Sequence, residues 1–159
     1  MTIIDDYLKL QEEQVKRFNE TTLLFMQVGH FFEAYAVDNA HEKSNADNVY
    51  RVADILNIQV TRKNKNIQEN SRGNPIMIGV NLFSIEKHTG ILMDAGYTLV
   101  LMEQVGEPPN HTREITRVYS PGTYLPVKTI GGAQSNYLLS VFLETIPGDN
   151  SRRMKNIGM

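Results

Sequence analysis

The chain has 159 residues and a mass of 18.1 kDa, which is the size of one ordinary domain. Hydrophobic residues make up 41% and charged residues 21% of it, a composition typical of a globular protein. Because the sequence contains no cysteine, disulfide frameworks, thiolate catalysis and cysteine-ligated zinc sites are excluded. The formal net charge of −2 argues against a domain that attracts nucleic acid by bulk charge alone.

Hydrophobic periodicity predicts alternating helices and strands. The predicted elements, in chain order, are a helix at 3–18 capped by Thr2, a strand at 21–28, an extended segment at 31–36, a helix at 46–56, strands at 58–61 and 75–80, a helix at 84–95 capped by Ser84 and ended by Gly96, a strand at 97–102, an outer strand at 113–119 and an apolar run at 137–142. The short connection at Gly29 indicates antiparallel pairing. The pattern predicts the α/β class, with a mixed, partly antiparallel β-sheet and about three packed helices.

The charges are distributed unevenly along the chain. Residues 1–50 carry 4 basic and 9 acidic side chains, whereas residues 51–80 carry 5 basic and 2 acidic ones. The basic excess lies in residues 61–73, a stretch rich in Asn, Gln, Ser and Gly that predicts an exposed loop, here called the basic loop. Its cationic side chains are Arg62, Lys63, Lys65 and Arg72. Two interpretations are open. The basic loop is simply solvated, or it is a phosphate-contacting loop on an otherwise acidic protein.

Most motifs of catalytic chemistry are absent from the sequence. It contains no Gly-x-x-x-x-Gly-Lys-[Ser/Thr], no Gly-x-Gly-x-x-Gly and no His-Glu-x-x-His, so no cofactor or metal is expected within this chain. One acidic cluster could in principle serve a metal-dependent nuclease; its members are His30, Glu33, Asp38, His41 and Glu42. Its spacing matches no known ligand pattern, which favours solvated side chains. No apolar run is long enough to span a membrane, and we expect an intracellular protein.

The most unusual local feature is the segment Gly29-His30-Phe31-Phe32-Glu33. In an extended backbone, Phe31 and Glu33 point to one face and Phe32 points to the other. An aromatic ring beside a hydrogen-bonding acid suits a protein that pushes a wedge between stacked bases and tests the exposed base edge. The alternative is that one phenylalanine belongs to the core while Glu33 faces solvent.

Four segments, in order, resemble motifs of the MutS family of DNA mismatch-recognition proteins. Residues 29–33 are similar to the family's Gly-Asp-Phe-Tyr-Glu, and Met77-Ile78-Gly79-Val80 is similar to its Met-Ala-Gly-Val. Glu103-Gln104-Val105-Gly106-Glu107-Pro108 is similar to its Glu-Gln-Ile-Gly-Asp-Pro. Arg117-Val118-Tyr119-Ser120-Pro121-Gly122-Thr123 is similar to its Arg-Ile-Val-Thr-Pro-Gly-Thr. The resemblance implies the family's N-terminal mismatch-binding domain at residues 1–125. Residues 126–159 would then hold a linker, the truncated start of a connector domain and a flexible tail.

The resemblance also implies a role for individual residues. Phe31 would be the wedge that enters the minor groove and stacks on the mispaired base, and Glu33 would hydrogen-bond that base. Met77 would line the minor groove beside the wedge. The basic loop is the expected place for contacts with the DNA backbone, made by Arg62, Lys63, Lys65 and Arg72. The domain itself would not be an enzyme.

The implied partners are mismatched double-stranded DNA, the remaining domains of a larger parent protein and a second subunit in a dimeric clamp. ATP and magnesium are expected only in that parent. His30 and Phe32 stand where the family has Asp and Tyr, and residues 80–83 replace its Val-Pro-Tyr-His. These departures indicate a divergent branch, of an organellar or viral type. They also leave open an interaction domain of the same fold that has lost DNA binding.

Overall fold

The computed structural model describes residues 2–106, 112–124, 141–145 and 155–158. The chain divides into two compact units, Met1–Val127 and Lys128–Met159. The elements of the first unit are, in chain order, α1 (Ile3–Arg17), β1 (Thr22–Val28), β2 (Phe31–Asp38), β3 (Lys43–Ser44), α2 (Ala46–Leu56), β4 (Thr61–Arg62), β5 (Ile76–Asn81), a 3₁₀ helix (Leu82–Ser84), α3 (Ile85–Asp94), β6 (Thr98–Val105) and β7 (Thr112–Tyr119).

The second unit holds two strands, β8 (Phe142–Thr145) and β9 (Lys155–Gly158), which pair in antiparallel fashion. Residues 137–140 of the last predicted apolar run lie outside the described residues, and β8 begins at the last residue of that run, Phe142. The assignment of residues 126–159 to a linker and the start of a connector domain stays a prediction.

One mixed sheet organises the first unit. Its strand order is β4-β5-β2-β1-β6-β7, with β3 paired to the far end of β2. β1 and β6 run parallel, whereas the other neighbouring strands run antiparallel. The predicted α/β class, with a partly antiparallel sheet and three helices, is confirmed. The outer position predicted for residues 113–119 is also confirmed, because β7 forms one edge of the sheet.

The hydrophobic core covers both faces of this sheet. Consecutive residues of β1 and of β6 are fully buried, as Leu23 and Leu24 illustrate, and consecutive strand residues point to opposite faces. Each helix contributes a buried stripe, including Ile4 and Tyr7 of α1, Val49 and Val52 of α2, and Ile85 and Leu92 of α3. Among the described helices, none is both long and apolar enough to cross a membrane.

The connection between β1 and β2 is a tight hairpin turn formed by Gly29 and His30. The φ angle of Gly29 is +59°, whereas His30 keeps a negative φ. A two-residue hairpin loop with glycine at its first position has this signature, and glycine reaches such a φ without steric strain. The turn delivers the chain directly into a pair between Val28 and Phe31. The antiparallel pairing predicted at Gly29 is thus confirmed.

Side chains of α1 complete the edge of β1 beyond this hairpin. The Gln11 Nε2 donates to the Thr22 carbonyl, and the Leu24 N–H donates to the Gln11 Oε1, both at 2.7 Å. The Tyr7 hydroxyl donates to the Leu24 carbonyl at 2.8 Å. Gln11 and Tyr7 are 3% and 1% exposed. These side chains therefore satisfy buried backbone groups that a neighbouring strand would otherwise satisfy.

The predicted N-cap of α1 is confirmed, and Ser84 occupies the predicted N-cap position of α3 but makes no side-chain capping bond there. The Thr2 hydroxyl accepts from the Asp5 N–H at 3.3 Å, and the Asp5 carboxylate accepts from the Thr2 N–H at 2.8 Å, which is a capping box. Before α3, the Asn81 Oδ1 accepts from the Phe83 N–H at 2.9 Å, and the Ser84 hydroxyl donates to the Asn81 carbonyl. Asparagine thereby caps the 3₁₀ turn, and the hydroxyl of Ser84 bonds to this turn instead of to the first turn of α3.

The strand predicted at residues 58–61 is also wrong in its extent. Residues 58–60 belong to no strand, and only Thr61 and Arg62 pair with β5. Asn57 adopts a φ of +51° after α2, and the Ile58 N–H donates back to the Ala53 carbonyl at 2.9 Å. Residue 58 therefore bonds to the last turn of α2 instead of to a neighbouring strand, so the strand cannot begin there.

Replacing Gln11 with Leu should destabilise the protein by about 2–4 kcal/mol, because it leaves the Thr22 carbonyl and the Leu24 N–H buried without partners. The free energy of unfolding in urea measures the loss. Glu13→Leu, an exposed substitution on the same helix, is the matched control and should change it by less than about 0.5 kcal/mol. Equal free energies for Gln11→Leu and the native protein would contradict the role given to Gln11.

Candidate functional site

One face of the sheet brings together three of the predicted site residues. Residues directly opposite on antiparallel strands share a face, and side chains alternate between faces along each strand. The register of β2 against β5 defines six residues of this face, which we call the wedge face: Phe31 opposite Asn81, Glu33 opposite Gly79 and Tyr35 opposite Met77. Phe32 points to the other face and is 1% exposed, so the predicted alternation of Phe31, Phe32 and Glu33 is confirmed.

Two exposed aromatic rings stand at the hairpin end of the wedge face. Phe31 is 47% exposed at the first residue of β2, and Phe83 is 93% exposed two residues beyond Asn81. The Leu82 N–H donates to the His30 carbonyl at 3.0 Å, which ties the two turns together. Exposed aromatic residues that are close in the fold are typical of a binding surface. The sequence marked this segment only as a departure from the family motif, and did not predict the exposure of Phe83.

Glu33 lies between the exposed ring of Phe31 and the covered part of the face. It is half-buried, and its Oε2 accepts a hydrogen bond from the Tyr35 hydroxyl. Burial raises the pKa of Tyr35, and the hydrogen bond to Glu33 raises it further, so this hydroxyl remains a donor. The carboxylate is therefore anchored by one of its two oxygens.

Met77 lies on the same face but farther along it. It is half-buried, stands opposite Tyr35 and Thr61, and packs against the core. Tyr35 lies four positions after Phe31 along β2, which is about 13 Å at the rise of a strand. The structure thus places Met77 on the predicted face, at the opposite end from the ring of Phe31.

The basic loop contributes less to the wedge face than its charge suggests. Thr61 stands opposite Met77, and Arg62 stands opposite Ile76. Because side chains alternate, Arg62 belongs to the face opposite to Met77. Lys63 and Lys65 follow on the exposed part of the loop.

Arg72, at the far end of the basic loop, is held in an ion-pair cluster. Its Nη1 lies 2.9 Å from Asp5 Oδ1, and its Nη2 lies 2.8 Å from Glu42 Oε1. Hydrogen bonds from Thr2 and then from Arg72 lower the pKa of Asp5 to about 2, and the bond from Arg72 lowers the pKa of Glu42. Arg72 thus ties the loop to the start of α1. Contact between Arg72 and DNA stays a prediction.

Arg113 is a cation of the wedge face that the sequence did not reveal. Met102 of β6 is in register with Met26 of β1, and Arg113 of β7 stands opposite Gln104. Alternation along β6 therefore puts Arg113 on the face of Met26 and Glu33. It is half-buried, and its Nε donates to the Gln27 carbonyl at 3.5 Å. Only the register of three strands discloses this placement.

The acidic cluster that would support a nuclease is not assembled. Within the part of the chain that the structure describes, no group of three His, Asp or Glu side chains could hold a metal ion. Glu42 is engaged by Arg72, and Glu33 by Tyr35. The candidate metal site formed by His30, Glu33, Asp38, His41 and Glu42 is therefore wrong.

The fold and the wedge face define a small α/β domain that presents an exposed aromatic ring beside an anchored carboxylate. A protein-family model described as MutS domain I matches residues 7–128. A mutS homolog of Acanthamoeba polyphaga mimivirus is 36% identical over 143 residues, which is 89% of this chain and 12% of that protein. DNA mismatch repair protein MutS 2 of Haloarcula marismortui is 29% identical over 81% of this chain and 12% of its own length.

A third relative, DNA mismatch repair protein MutS of Methanothrix thermoacetophila, is 29% identical over 84% of this chain and 15% of its own length. The chain therefore belongs to the MutS domain I family, as its motifs predicted. It spans about one-eighth of the length of these curated relatives.

Arg72→Met should flatten the loss of stability in acid. The pKa values of Asp5 and Glu42 are lowered on folding, so their contribution is complete above the unfolded-state values and is lost as the pH falls through the folded-state values. For Asp5 this window runs from 3.8 down to about 2. The bonds from Thr2 remain in the variant, so the effect on Asp5 should shrink without disappearing.

Thermal unfolding between about pH 2 and pH 7 measures this effect. The Tm of Arg72→Met should fall less steeply below about pH 4 than that of the native protein. Lys65→Met, which removes a cation from the same loop, should retain the native slope. An unchanged slope for Arg72→Met would show that the ion-pair cluster does not set the acid limit.

Proposed function

We propose that this chain is the mismatch-recognition module of a DNA mismatch repair protein, and that Phe31 enters the minor groove at a mispaired base while Glu33 hydrogen-bonds that base. The observation that carries the proposal is the 47% exposure of Phe31 at the rigid hairpin end of the sheet, beside Glu33. Membership of the MutS domain I family and the names of the relatives support the same substrate.

The physical basis of this recognition is the cost of deforming the duplex. Inserting an apolar side chain between base steps costs a few kcal/mol of stacking, and the cost is least where a base is mispaired. Phe31 therefore discriminates by deformability and needs no preference for base sequence. Glu33 adds a polar contact that only a displaced base can reach. Met77 is proposed to line the same minor groove.

Contacts with the phosphates would supply affinity without discrimination. Lys63 and Lys65 are exposed on the basic loop, and Arg113 lies on the wedge face itself. Contacts from Arg62, which lies on the opposite face, and from Arg72, which pairs with Asp5 and Glu42, remain part of the proposal. Cations that neutralise phosphates release counterions equally from matched and mismatched duplexes.

We extend the proposal to the parent protein of which this chain would be a part. The curated relatives are about eight times longer than the matched segment. Within that parent we place ATP and magnesium, a second subunit that closes a dimeric clamp on DNA, and an intracellular setting in an organelle or a virus-infected cell. A virus-encoded protein among the relatives supports the viral setting. The module itself would be non-enzymatic.

Phe31→Ala should weaken binding to a duplex with one G·T mismatch by about ten-fold, because one aromatic–base stacking contact is lost. Binding to the matched duplex should change by less than about two-fold. Fluorescence anisotropy at fixed salt, with the two labelled duplexes, measures both affinities. Phe18→Ala is the matched control, since Phe18 is a 38% exposed phenylalanine at the end of α1.

Full discrimination by Phe31→Ala would overturn the wedge assignment. A native chain that binds neither duplex, but binds protein partners, would favour the interaction domain that the substitutions at His30 and Asn81 leave open. Magnesium-dependent nicking of a plasmid, abolished by a chelator, would contradict the proposal that the module is non-enzymatic.

The double variant Lys63→Gln/Lys65→Gln should reduce the slope of log binding constant against log salt concentration by about two, since each phosphate contact contributes about 0.9. The matched and mismatched duplexes should be affected equally. Lys9→Gln/Lys16→Gln removes the same charge from α1 and should leave the slope unchanged. A loss that appears on the mismatched duplex alone would assign these lysines to base recognition instead.

A further inference from the structure

Tyr35 supports Glu33 from the covered part of the wedge face. The two residues are separated by one position in β2, so their side chains share a face. The Tyr35 hydroxyl donates to the Glu33 Oε2. Tyr35 is 5% exposed, whereas Glu33 is half-buried and Phe31 is 47% exposed. The hydroxyl therefore reaches the carboxylate from the protein interior.

Tyr35 is itself held on two sides. Its ring meets the ring of Tyr7 edge-on, with centroids 5.2 Å apart and planes at 82°. The Asn45 Nδ2 donates to the Tyr35 carbonyl at 2.9 Å and lies 3.4 Å from the Tyr7 hydroxyl. An aromatic pair in this geometry restricts the ring, and the amide fixes the backbone beneath it. The hydroxyl that donates to Glu33 therefore belongs to a residue whose ring and backbone are both held by other contacts.

The other carboxylate oxygen takes no part in the bond from Tyr35. Among the contacts between described residues, the Glu33 Oε1 takes no hydrogen bond within the chain. Its neighbour on β5 is Gly79, which is exposed and has no side chain, and its neighbour on β1 is the buried Met26. A Cβ atom there would stand 3.7 Å from the Glu33 Cγ, in ordinary contact. On the side of β5, therefore, no side chain at position 79 covers Glu33.

We propose that Tyr35 is a positioning residue for mismatch recognition: its hydroxyl holds the Glu33 Oε2 so that the Oε1 faces the mispaired base beside Phe31. This inference rests on the proposed function. A carboxylate that is fixed before binding loses less rotational freedom when it meets its partner. The resulting gain in affinity appears only with a base that the carboxylate can reach. Tyr35 therefore contributes to discrimination and not to overall affinity.

Tyr35→Phe removes the hydroxyl and keeps the ring, so it isolates this contribution. The ratio of affinities for G·T-mismatched and matched duplexes should fall by about five-fold, with unchanged affinity for the matched duplex. In a Glu33→Ala background the same substitution should have no further effect, because the residue through which it acts is gone. Tyr97→Phe is the control, since Tyr97 is 1% exposed and adjoins Thr98, at the far end of β1 from Phe31.

Carbon-13 NMR of the Glu33 carboxyl group tests the contact without DNA. Its resonance should move in Tyr35→Phe and stay in place in Tyr97→Phe. Any of three results would overturn the inference. They are an unmoved Glu33 resonance in Tyr35→Phe, a native ratio of affinities in Tyr35→Phe, and an equal fall of that ratio when Tyr35→Phe is made in the Glu33→Ala background. A merely structural role would lower both affinities together with the unfolding midpoint. A native chain without mismatch preference would overturn the proposed function, and Tyr35 would then have no recognition role even where the resonance moves.

Discussion

The wedge face depends on two side chains of α1 that take the place of a neighbouring strand. Gln11 and Tyr7 bond the backbone of Thr22 and Leu24, at the end of β1 that β2 does not pair. Buried backbone groups without partners are costly, so these side chains permit a sheet in which β1 and β2 join at the hairpin and part farther along. The same helix brings Tyr7 against Tyr35, and it covers one end of the face while the other stays open.

β2 consequently runs from an exposed end to a buried one within five residues. Phe31 stands in solvent, Glu33 is half-buried and Tyr35 is inside, all on one face. A binding group on a strand that is anchored in this way is positioned more firmly than one on a loop. The proposed division of labour follows from this gradient: the exposed ring tests deformability, the carboxylate tests the base, and the buried hydroxyl sets the geometry of the carboxylate.

Local pattern was sufficient for the elements and for part of the site. The helix at 46–56 and the alternation of Phe31 and Glu33 were predicted as found, because each is encoded by side-chain period within a few residues. Arg72 and Arg113 were beyond such reasoning. The first pairs with Asp5 across 67 positions, and the second reaches the wedge face only through the register of β1, β6 and β7. Neither the register nor a distant partner is visible in a local pattern.

The placement of the cations changes what the charge of the chain implies for the proposed function. Arg72 is neutralised by Asp5 and Glu42, and Arg62 lies on the opposite face, so few cations remain near Phe31. Phosphate contacts stabilise matched and mismatched duplexes alike, and they cannot raise the ratio between the two affinities. Under the proposed function, a domain with few such contacts would bind matched DNA weakly, and stacking by Phe31 would supply a larger share of its binding to a mismatch. The net charge of −2 is therefore compatible with the proposed discriminating module, in a parent protein whose other domains would supply most of the affinity for DNA.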